Sequence, residues 1–247
     1  MTKVAVLGAY GKLGSAIVAG LEATAGTEVV ARIGSKDPLS AIVDAGAEVV
    51  VDVTNPEVVM GNLEFAIEHG LHAVVGTTGF DEGRLEALRG LLEARSGVGV
   101  VIAPNFSIGA LLMMRFAALA APHFESVEIA ELHHPTKADA PSGTARRTAE
   151  LIGAARREAG LGPVPDATTQ ELPGARGAVV DGVHVHSLRI RGLVAHQEVI
   201  LGGPGETLTI RHDSLDRAGF VPGVVAGIAG VQRTPGLTVG LEHFLDL

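Results

Sequence analysis

The chain contains no cysteine and no tryptophan, and only one tyrosine and seven phenylalanines occur among its 247 residues. The lack of cysteine excludes thiol catalysis, disulfide bonds and cysteine-based metal sites. Acidic residues outnumber basic ones and give a formal net charge of −9 at pH 7. Because a nucleic-acid surface needs a basic patch and aromatic rings on which bases stack, we expect no nucleic-acid partner.

Long apolar runs are also missing. The most apolar segment, 108–121, is too short to span a bilayer and contains Arg115, so it is predicted to be a buried helix. Met1 and the two residues after it lead directly into the apolar stretch Val4–Leu7, without the pattern of a signal peptide. We therefore expect no membrane partner and a cytoplasmic location. Hydrophobic residues make up 47% of the chain, which is enough for a packed core.

Short apolar runs alternate with helical patterns in the first part of the chain. The predicted strands are Val4–Leu7, Glu28–Ile33, Glu48–Val53, Ala73–Thr77 and Val98–Ala103. The predicted helices between them are Lys12–Leu21, Pro56–His69 and Asp81–Arg95. This alternation is typical of a Rossmann-like α/β domain built on a parallel sheet.

The pattern changes after Phe106. The predicted elements are the helices Ile108–Phe124 and Thr144–Ala159 and the strands Val127–His134, Val183–Arg191, His196–Leu201 and Thr207–His212. This predicts an inserted α+β domain over 107–213. A last predicted helix, Val221–Val231, is too small to fold alone, so residues 214–247 are expected to rejoin the first domain, 1–106. The loop 163–177, rich in Pro, Gly and Thr, either closes over a ligand or is an ordinary surface excursion.

Gly8, Gly11 and Gly14 follow the first predicted strand and open the first predicted helix. In a dinucleotide-binding fingerprint the first glycine permits a tight turn and the second lets the pyrophosphate approach the backbone. The third lets helix and strand pack closely. A glycine-rich turn without a ligand is the alternative for the motif alone, and the surrounding parallel-sheet pattern favours a nucleotide site.

The most informative segment runs from Glu131 to Thr144 and reads ELHHPTKADAPSGT. Its end coincides with a predicted helix start, where backbone N–H groups lack partners and can hold a carboxylate or phosphate. Adjacent residues of a strand point to opposite faces, so His133 and His134 share one site only if the strand breaks, and Pro135 supplies that break. The combination of proton donors and an anion-binding turn predicts an acidic substrate.

This segment resembles, almost letter for letter, the signature of the bacterial 4-hydroxy-tetrahydrodipicolinate reductases, also called dihydrodipicolinate reductases. The resemblance extends over nearly all of the chain and includes Gly8–Gly14, Val75–Phe80, Ala103–Ser107 and Leu193–Gln197. It implies an NADH- or NADPH-dependent enzyme that reduces (hydroxy-)dihydrodipicolinate to tetrahydrodipicolinate for diaminopimelate and lysine. It also implies a homotetramer, and the open apolar sheet face expected in the second domain favours one.

The resemblance further implies that a hydride passes from nicotinamide C4 to the unsaturated substrate ring, after which an enamine carbon takes a proton. By motif, His133 is the proton donor, and Lys137 is a second donor or the cation that faces the substrate; a surface lysine is the alternative. A histidine suits this role because its pKa lies near the working pH. The residues expected to bind the dicarboxylate substrate are His134, Lys137, Ser142, Gly143 and Thr144.

Loops at the carboxyl ends of the strands are assigned to the cofactor by the same resemblance. The expected cofactor-binding residues are Gly8, Ala9, Tyr10, Gly11, Lys12, Leu13, Gly34, Ser35, Lys36, Gly76, Thr77, Thr78, Ala103, Pro104, Asn105 and Phe106. Thr77, Thr78 and Asn105 can equally be turn residues that satisfy their own backbone.

The residues after the second strand bear on the choice of cofactor. NAD-specific proteins place a carboxylate there, whereas this chain has Arg32-Ile-Gly-Ser-Lys36 and no acid before Asp37. Arg32, Ser35 and Lys36 can meet a 2′-phosphate or form a solvated turn. Many relatives carry an acid near this position and a basic residue at the position of Tyr10. We expect both cofactors to be used, NADPH at least as well as NADH.

Two other classes of function stay open on the sequence alone. A non-catalytic pyridine-nucleotide sensor would keep the cofactor fold, but it would have no use for His133 and Lys137. A histidine-metal hydrolase is disfavoured because neighbouring histidines chelate a metal poorly and no cysteine is available, so we expect no metal. His184 and His186 lie on one face of a predicted strand and are expected to be solvated or satisfied in the core.

Overall fold

The computed structural model describes residues 1–245. Its strands are β1 (Thr2–Leu7), β2 (Thr27–Ile33), β3 (Val49–Asp52), β4 (His72–Val75), β5 (Gly99–Ile102), β6 (Ser126–His133), β7 (Ala178–Val180), β8 (Val183–Arg189), β9 (Ala195–Gly203), β10 (Glu206–Ser214) and β11 (Gly236–Val239). Its α-helices are α1 (Lys12–Glu22), α2 (Ser40–Asp44), α3 (Val59–Glu68), α4 (Glu82–Glu93), α5 (Ile108–Ala120), α6 (Gly143–Glu158) and α7 (Val221–Val231). None of the helices described is long and apolar enough to cross a membrane.

The chain divides into two compact units, one formed by Met1–Ile108 with the residues from Arg217 onward and the other by Gly109–Asp216. The first unit contains a parallel six-stranded sheet in the order β11-β5-β4-β3-β1-β2. This is the predicted Rossmann-like architecture, and the second unit is the predicted α+β fold.

Both faces of the parallel sheet are covered, as its continuously apolar strands predict. Ala73 and Val75 of β4 belong to one buried cluster with Leu63 of α3 and Leu88 of α4. The residue between them, Val74, points to the opposite face, where α7 packs on β4 and a Cβ at Gly227 would lie 3.0 Å from the valine Cγ1. Helices thus occupy both faces, and the carboxyl ends of the strands form the edge at which such sheets bind ligands.

The second unit contains a mixed five-stranded sheet in the order β10-β9-β6-β8-β7, in which only the β6–β8 pair is parallel. Gln197 of β9 donates to the Thr148 hydroxyl of α6 at 2.8 Å and pairs across the sheet with Glu131 of β6. The register therefore places Glu131 on the face that α6 covers. The other face carries apolar side chains such as Ile200, which is 40% exposed.

Several predicted boundaries need correction. The helix predicted from Pro56 begins at Val59, and the helix predicted to end at Phe124 ends at Ala120 and continues as a short 3-10 turn. The strand predicted to end at Arg191 ends at Arg189. Three elements escape the sequence prediction: α2, β7 and β11. Each has only three to five residues, too few for a period of apolar residues to be recognised.

Candidate active site

The glycine loop after β1 has the backbone of a nucleotide cradle. Gly8 has a φ of 78°, which favours glycine, and a Cβ there would lie 2.8 Å from the carbonyl oxygen of Val53. A Cβ at Gly14 would lie 2.0 Å from the carbonyl oxygen of Gly8. α1 has Gly11 as its N-cap, and no side chain among the described residues caps it. The first backbone N–H groups of α1 are thus suited to a pyrophosphate.

Tyr10 and Gly34, both predicted cofactor residues, are brought together. A Cβ at Gly34 would lie 2.7 Å from Cδ2 of the Tyr10 ring, and the tyrosine hydroxyl donates to the Arg32 carbonyl oxygen at 3.4 Å. The loops after β1 and β2 therefore touch through this ring. Other predicted residues of the first loop and helix turn are Ala9, which is buried, Leu13, which is half-buried, and Lys12, which is exposed.

The end of β2 presents both signs of charge. The Arg32 guanidinium pairs with Glu22 of α1, so one of the two cations expected near a 2′-phosphate already has a carboxylate partner. The Asp37 carboxylate accepts a hydrogen bond from the Gly34 N–H at 2.8 Å and is thereby turned toward the backbone of the loop after β2. Ser35 and Lys36 are exposed at this edge.

A buried carboxylate, which the sequence analysis missed, holds the loop after β4. Asp52, the last residue of β3, is fully buried and accepts hydrogen bonds from the Thr77 hydroxyl at 3.0 Å and the Asn62 amide at 2.7 Å. It also accepts from the N–H and hydroxyl of Thr54, at 2.9 and 2.6 Å. The expected role of Thr77 toward the cofactor is therefore combined with a structural one. The sequence did contain a signal for Asp52, since a lone acid that ends an otherwise apolar strand needs buried partners.

The loops after β4 and β5 also contact each other. A Cβ at Gly76 would lie 2.3 Å from Cε2 of Phe106, so the glycine allows the buried ring to approach. The Asn105 side chain accepts a hydrogen bond from the Ser107 N–H at 2.8 Å, as a turn residue does. The remaining predicted residues here are Thr78 and Pro104, which are exposed, and Ala103, which is buried.

His133 ends β6 and bonds to a buried acid on the same strand. Residues two apart on a strand share a face, and Nδ1 of His133 lies 2.5 Å from Oε2 of Glu131. The Glu131 side chain is fully buried, whereas 13% of the His133 side chain is exposed. Because the carboxylate can only accept, Nδ1 of His133 carries the hydrogen, and Nε2 is the nitrogen left to exchange a proton with a ligand.

Burial sets the direction of the His133 pKa. Desolvation lowers the pKa of His133 below its ordinary 6.5, and the positive charges of Lys137 and Arg189 act in the same direction. The hydrogen bond and charge of Glu131 oppose these effects. Burial would raise the pKa of Glu131, but hydrogen bonds from Arg189, Ser187 and His133 more than offset it and keep the pKa below its ordinary value. Glu131 is thus ionised beside a histidine that releases its proton readily.

Lys137 and His134 belong to the turn after β6. The Lys137 ammonium donates to the Asp139 carboxylate at 2.7 Å, and the lysine side chain is 22% exposed. That contact, together with a backbone hydrogen bond from Gly143, holds the pKa of Asp139 below its usual range. Nδ1 of His134 lies 2.8 Å from the Thr136 hydroxyl. The half-buried position of Lys137 differs from that of an ordinary surface lysine.

The predicted anion-binding turn starts α6. Ser142 is the N-cap, and its hydroxyl accepts a hydrogen bond from the Ala145 N–H at 3.2 Å. The Ser142 N–H in turn donates to Oε1 of Glu131 at 3.3 Å. Ser142 is therefore occupied in holding the turn, while Gly143 is exposed and Thr144 half-buried.

Sequence reasoning did not single out Glu131, Arg189 or Ser187, which surround the His133 contact. Glu131 had a local signal, an acid at the position two before His133. Arg189 had none, because it lies 58 residues from Glu131 and reaches it only through the pairing of β6 with β8.

Ion pairs hold both ends of the loop 163–177. Arg176 contacts Asp166 at 3.1 Å and also pairs with Glu128 of β6. His186 bonds to Glu128 at 2.7 Å and His184 to the Arg176 carbonyl oxygen at 2.7 Å, so both histidines are satisfied by protein groups. Within residues 1–245, no group of three or more acids and histidines is arranged to hold a metal ion.

One unit of the chain has a glycine cradle at the strand ends of a parallel sheet, and the other has a half-buried histidine bonded to a buried carboxylate. These features are typical of a pyridine-nucleotide-dependent oxidoreductase. The profile described as "Dihydrodipicolinate reductase, N-terminus" matches residues 2–106, and the profile described as "Dihydrodipicolinate reductase, C-terminus" matches residues 109–245. The chain therefore belongs to the dihydrodipicolinate reductase family.

Individual relatives agree with this assignment. The chain is 62% identical over 245 residues to a 4-hydroxy-tetrahydrodipicolinate reductase of Nocardia farcinica, with 99% of each chain covered. It is 62% identical over 248 residues to the enzyme of that name from Thermobifida fusca, with 100% of each covered. A solved structure of dipicolinate-bound dihydrodipicolinate reductase from Paenisporosarcina sp. TG-14 is 36% identical, with a TM-score of 0.88 over 98% of this chain and 99% of that one.

Proposed function

We propose that the protein reduces (hydroxy-)dihydrodipicolinate to tetrahydrodipicolinate in diaminopimelate and lysine biosynthesis, with NADH or NADPH as the reductant. The observation that carries this proposal is the contact of His133 with buried Glu131, directly beside the start of α6. It supplies a proton donor next to a helix end suited to a carboxylate. The dipicolinate bound by the Paenisporosarcina relative is a dicarboxylate of the same kind.

Within the second unit, each predicted residue has a distinct task. His133 delivers a proton from Nε2 to the substrate carbon that becomes electron-rich on reduction. Lys137 exchanges its Asp139 partner for a substrate carboxylate and provides positive charge near the ring. His134 and the backbone of Gly143 and Thr144 bind the carboxylates, while Ser142 fixes the helix start.

Within the first unit, the glycine loop and the ends of β2, β4 and β5 hold the dinucleotide. A bound reduced nicotinamide supplies the hydride. Gly8 and Gly14 keep the backbone close enough for the pyrophosphate, and Asp52 fixes Thr77 in the loop expected beside the nicotinamide. A non-catalytic sensor would need this unit alone and would leave the pairing of His133 with Glu131 without a task.

A coupled assay tests the proposal. The product of the enzyme that condenses pyruvate with aspartate semialdehyde is generated in situ, and oxidation of NADH and NADPH is followed by absorbance. We expect turnover with both cofactors that depends on the condensing enzyme. Tight cofactor binding without oxidation would instead identify a sensor and overturn the proposed function.

We expect NADPH to be used at least as well as NADH, and Lys36→Glu to shift the preference toward NADH. Lys36 is exposed at the end of β2, and Asp37 is turned toward the Gly34 N–H, so a 2′-phosphate meets more cation than free carboxylate. An exposed ion pair contributes about 0.2–1 kcal/mol, so the ratio of kcat/KM values should change by roughly 1.5- to 5-fold.

The control for this change is Lys3→Glu, which makes the same charge change at the opposite, amino end of β1. It should leave the cofactor ratio unaltered. A wild type that prefers NADH by more than about tenfold, or a Lys36→Glu ratio equal to that of the wild type, would place Lys36 in a solvated turn.

We also propose a homotetramer in which the open face of the second unit's sheet is covered by other subunits. That face carries Ile200, 40% exposed, and Leu188, 37% exposed, beside polar side chains. Light scattering at micromolar concentration should give the mass of four chains, and Ile200→Lys should lower it. Val43→Lys, at a 42% exposed site on α2, is the matched control and should not. A monomeric wild type would contradict the tetramer.

A further inference from the structure

We propose that Glu131 and Arg189 form a buried pair that positions His133, the carboxylate fixing the imidazole so that Nε2 delivers the proton and the guanidinium fixing the carboxylate. The inference rests on the proposed function of His133 as proton donor. Neither residue is proposed to touch the substrate, and both act through His133.

The Glu131 carboxylate has a single orientation because both of its oxygens are used. Oε2 bonds to Nδ1 of His133 at 2.5 Å and to Nη1 of Arg189 at 2.9 Å. Oε1 bonds to Nη2 of Arg189 at 2.9 Å and to the Ser142 N–H at 3.3 Å. A two-pronged arginine contact sets the plane of a carboxylate, and full burial leaves no competing water.

Arg189 is itself anchored from several directions. It stands opposite His133 in the pairing of β8 with β6. Its guanidinium also donates to the carbonyl oxygens of Leu188 at 2.8 Å and Asp139 at 2.7 Å. The position of the His133 ring is thus determined by β6, by β8 and by the turn that carries Lys137.

The arginine has an electrostatic consequence as well as a geometric one. A buried carboxylate alone would stabilise the imidazolium form and hold its proton tightly. With Arg189 opposing that charge, and with Lys137 near, burial keeps the pKa of His133 below its ordinary value. The proton on Nε2 is therefore both well placed and easily transferred, as general acid catalysis requires.

The first test is a double-mutant cycle. Glu131→Gln should lower kcat by roughly 10- to 1000-fold and leave the KM for NADPH unchanged, since loss of an orienting carboxylate costs a triad enzyme up to about 10⁴-fold. In a His133→Gln background the same change should have almost no further effect on kcat. Equal losses of kcat in both backgrounds would show that Glu131 serves only the fold, and would overturn the proposal.

The pH profile gives a second readout, one that a purely structural role would leave unmoved. Glu131 raises the pKa of His133, so its removal should move the limb on which kcat/KM falls with rising pH to lower pH. Arg189→Lys keeps the positive charge and should lose less kcat than Arg189→Met, which leaves the buried carboxylate without a cation. Equal losses in the two arginine variants would count against the pair.

Glu128→Gln is the matched control. Glu128 lies on the same strand and also joins an arginine, Arg176, and a histidine, His186, but it does so on the other face of the sheet. Its substitution should leave kcat and the pH limb of the wild type in place, with light scattering confirming the same assembly. If Glu128→Gln lost as much kcat as Glu131→Gln, the loss in both variants would be explained by destabilisation of β6, and the proposal would fail.

A measurement without turnover separates failure of this inference from failure of the proposed function. Nitrogen-15 NMR of histidine-labelled wild type, with His133→Gln used for assignment, should show the neutral His133 ring with its hydrogen on Nδ1. Hydrogen on Nε2 would refute the pair even in an active enzyme. An inactive wild type with the Nδ1–H form would refute the function and leave the geometry standing. This arm also decides the matter if Glu131→Gln does not fold.

Discussion

Replacing His133 by glutamine is expected to lower kcat by roughly 10²- to 10⁴-fold, the contribution typical of general acid catalysis. Glutamine keeps a polar side chain of similar reach beside Glu131, but its amide does not release a proton at neutral pH. Cofactor binding is assigned to the glycine loop in the proposal, so cofactor affinity should stay near the wild-type value. Steady-state kinetics with the in situ substrate and a fluorescence titration with NADPH measure the two quantities separately.

The pH dependence adds a signature. A proton donor must be protonated in the free enzyme, and burial lowers the pKa of His133 below its ordinary 6.5. We therefore expect kcat/KM to fall as pH rises through this lowered pKa. His133→Gln should lose this limb. His184→Gln, a half-buried histidine bonded to the Arg176 carbonyl oxygen, should keep both the limb and the rate. Near-normal turnover in His133→Gln would remove His133 from the mechanism.

Lys137→Ala is expected to produce a loss in kcat similar to that of His133→Gln, again roughly 10²- to 10⁴-fold. The lysine is half-buried in the turn after β6, and its ammonium already holds a carboxylate, that of Asp139, at 2.7 Å. If a substrate carboxylate takes the place of Asp139, as proposed, the KM for the substrate should rise along with the loss in kcat. A rise in KM with kcat unchanged would limit Lys137 to binding.

The double variant His133→Gln with Lys137→Ala should cost much less than the product of the single losses, because both residues serve one protonation event. The matched control is Arg147→Ala on α6. Arg147 is also an ion-paired cation, 3.5 Å from Glu150, but it lies on the exposed side of the helix. Its removal should leave kcat and KM unchanged, whereas fully multiplicative losses at His133 and Lys137 would show that they act in separate steps.

Much of the fold follows from local pattern. The alternation of apolar runs and helices gave the parallel sheet, because strands covered on both faces must be apolar throughout. The short elements could not be predicted from this pattern; β11, for example, is a strand of four residues that pairs with β5. Glycine positions were informative for a different reason: Gly8 needs a positive φ and Gly14 a close approach, and both demands are visible in sequence spacing.

The sequence motif names site residues that are contiguous, and it cannot name partners that only the fold brings together. His133, Lys137 and the start of α6 lie within one segment, so a motif carries them together. Asp52 at the end of β3 accepts a hydrogen bond from Thr77, which follows the neighbouring strand β4. Arg189 of β8 contacts Glu131 of the neighbouring strand β6. The sequence separation within each pair gives no sign that the two residues are partners. Arg32 was predicted as a cation for a 2′-phosphate, but its guanidinium pairs with Glu22 of α1. The fold thus supplies a partner that the sequence around Arg32 does not show.

The turn 134–141 begins next to a residue bonded to Glu131 and ends next to another, since the carboxylate contacts both His133 and the Ser142 N–H. The Glu131 side chain therefore fixes both ends of this loop. Pro135 and Thr136 are exposed within this loop, so they can be varied while His133, Lys137 and the helix start keep their spacing. The two exposed positions are therefore the first places at which to alter the loop without moving its ends.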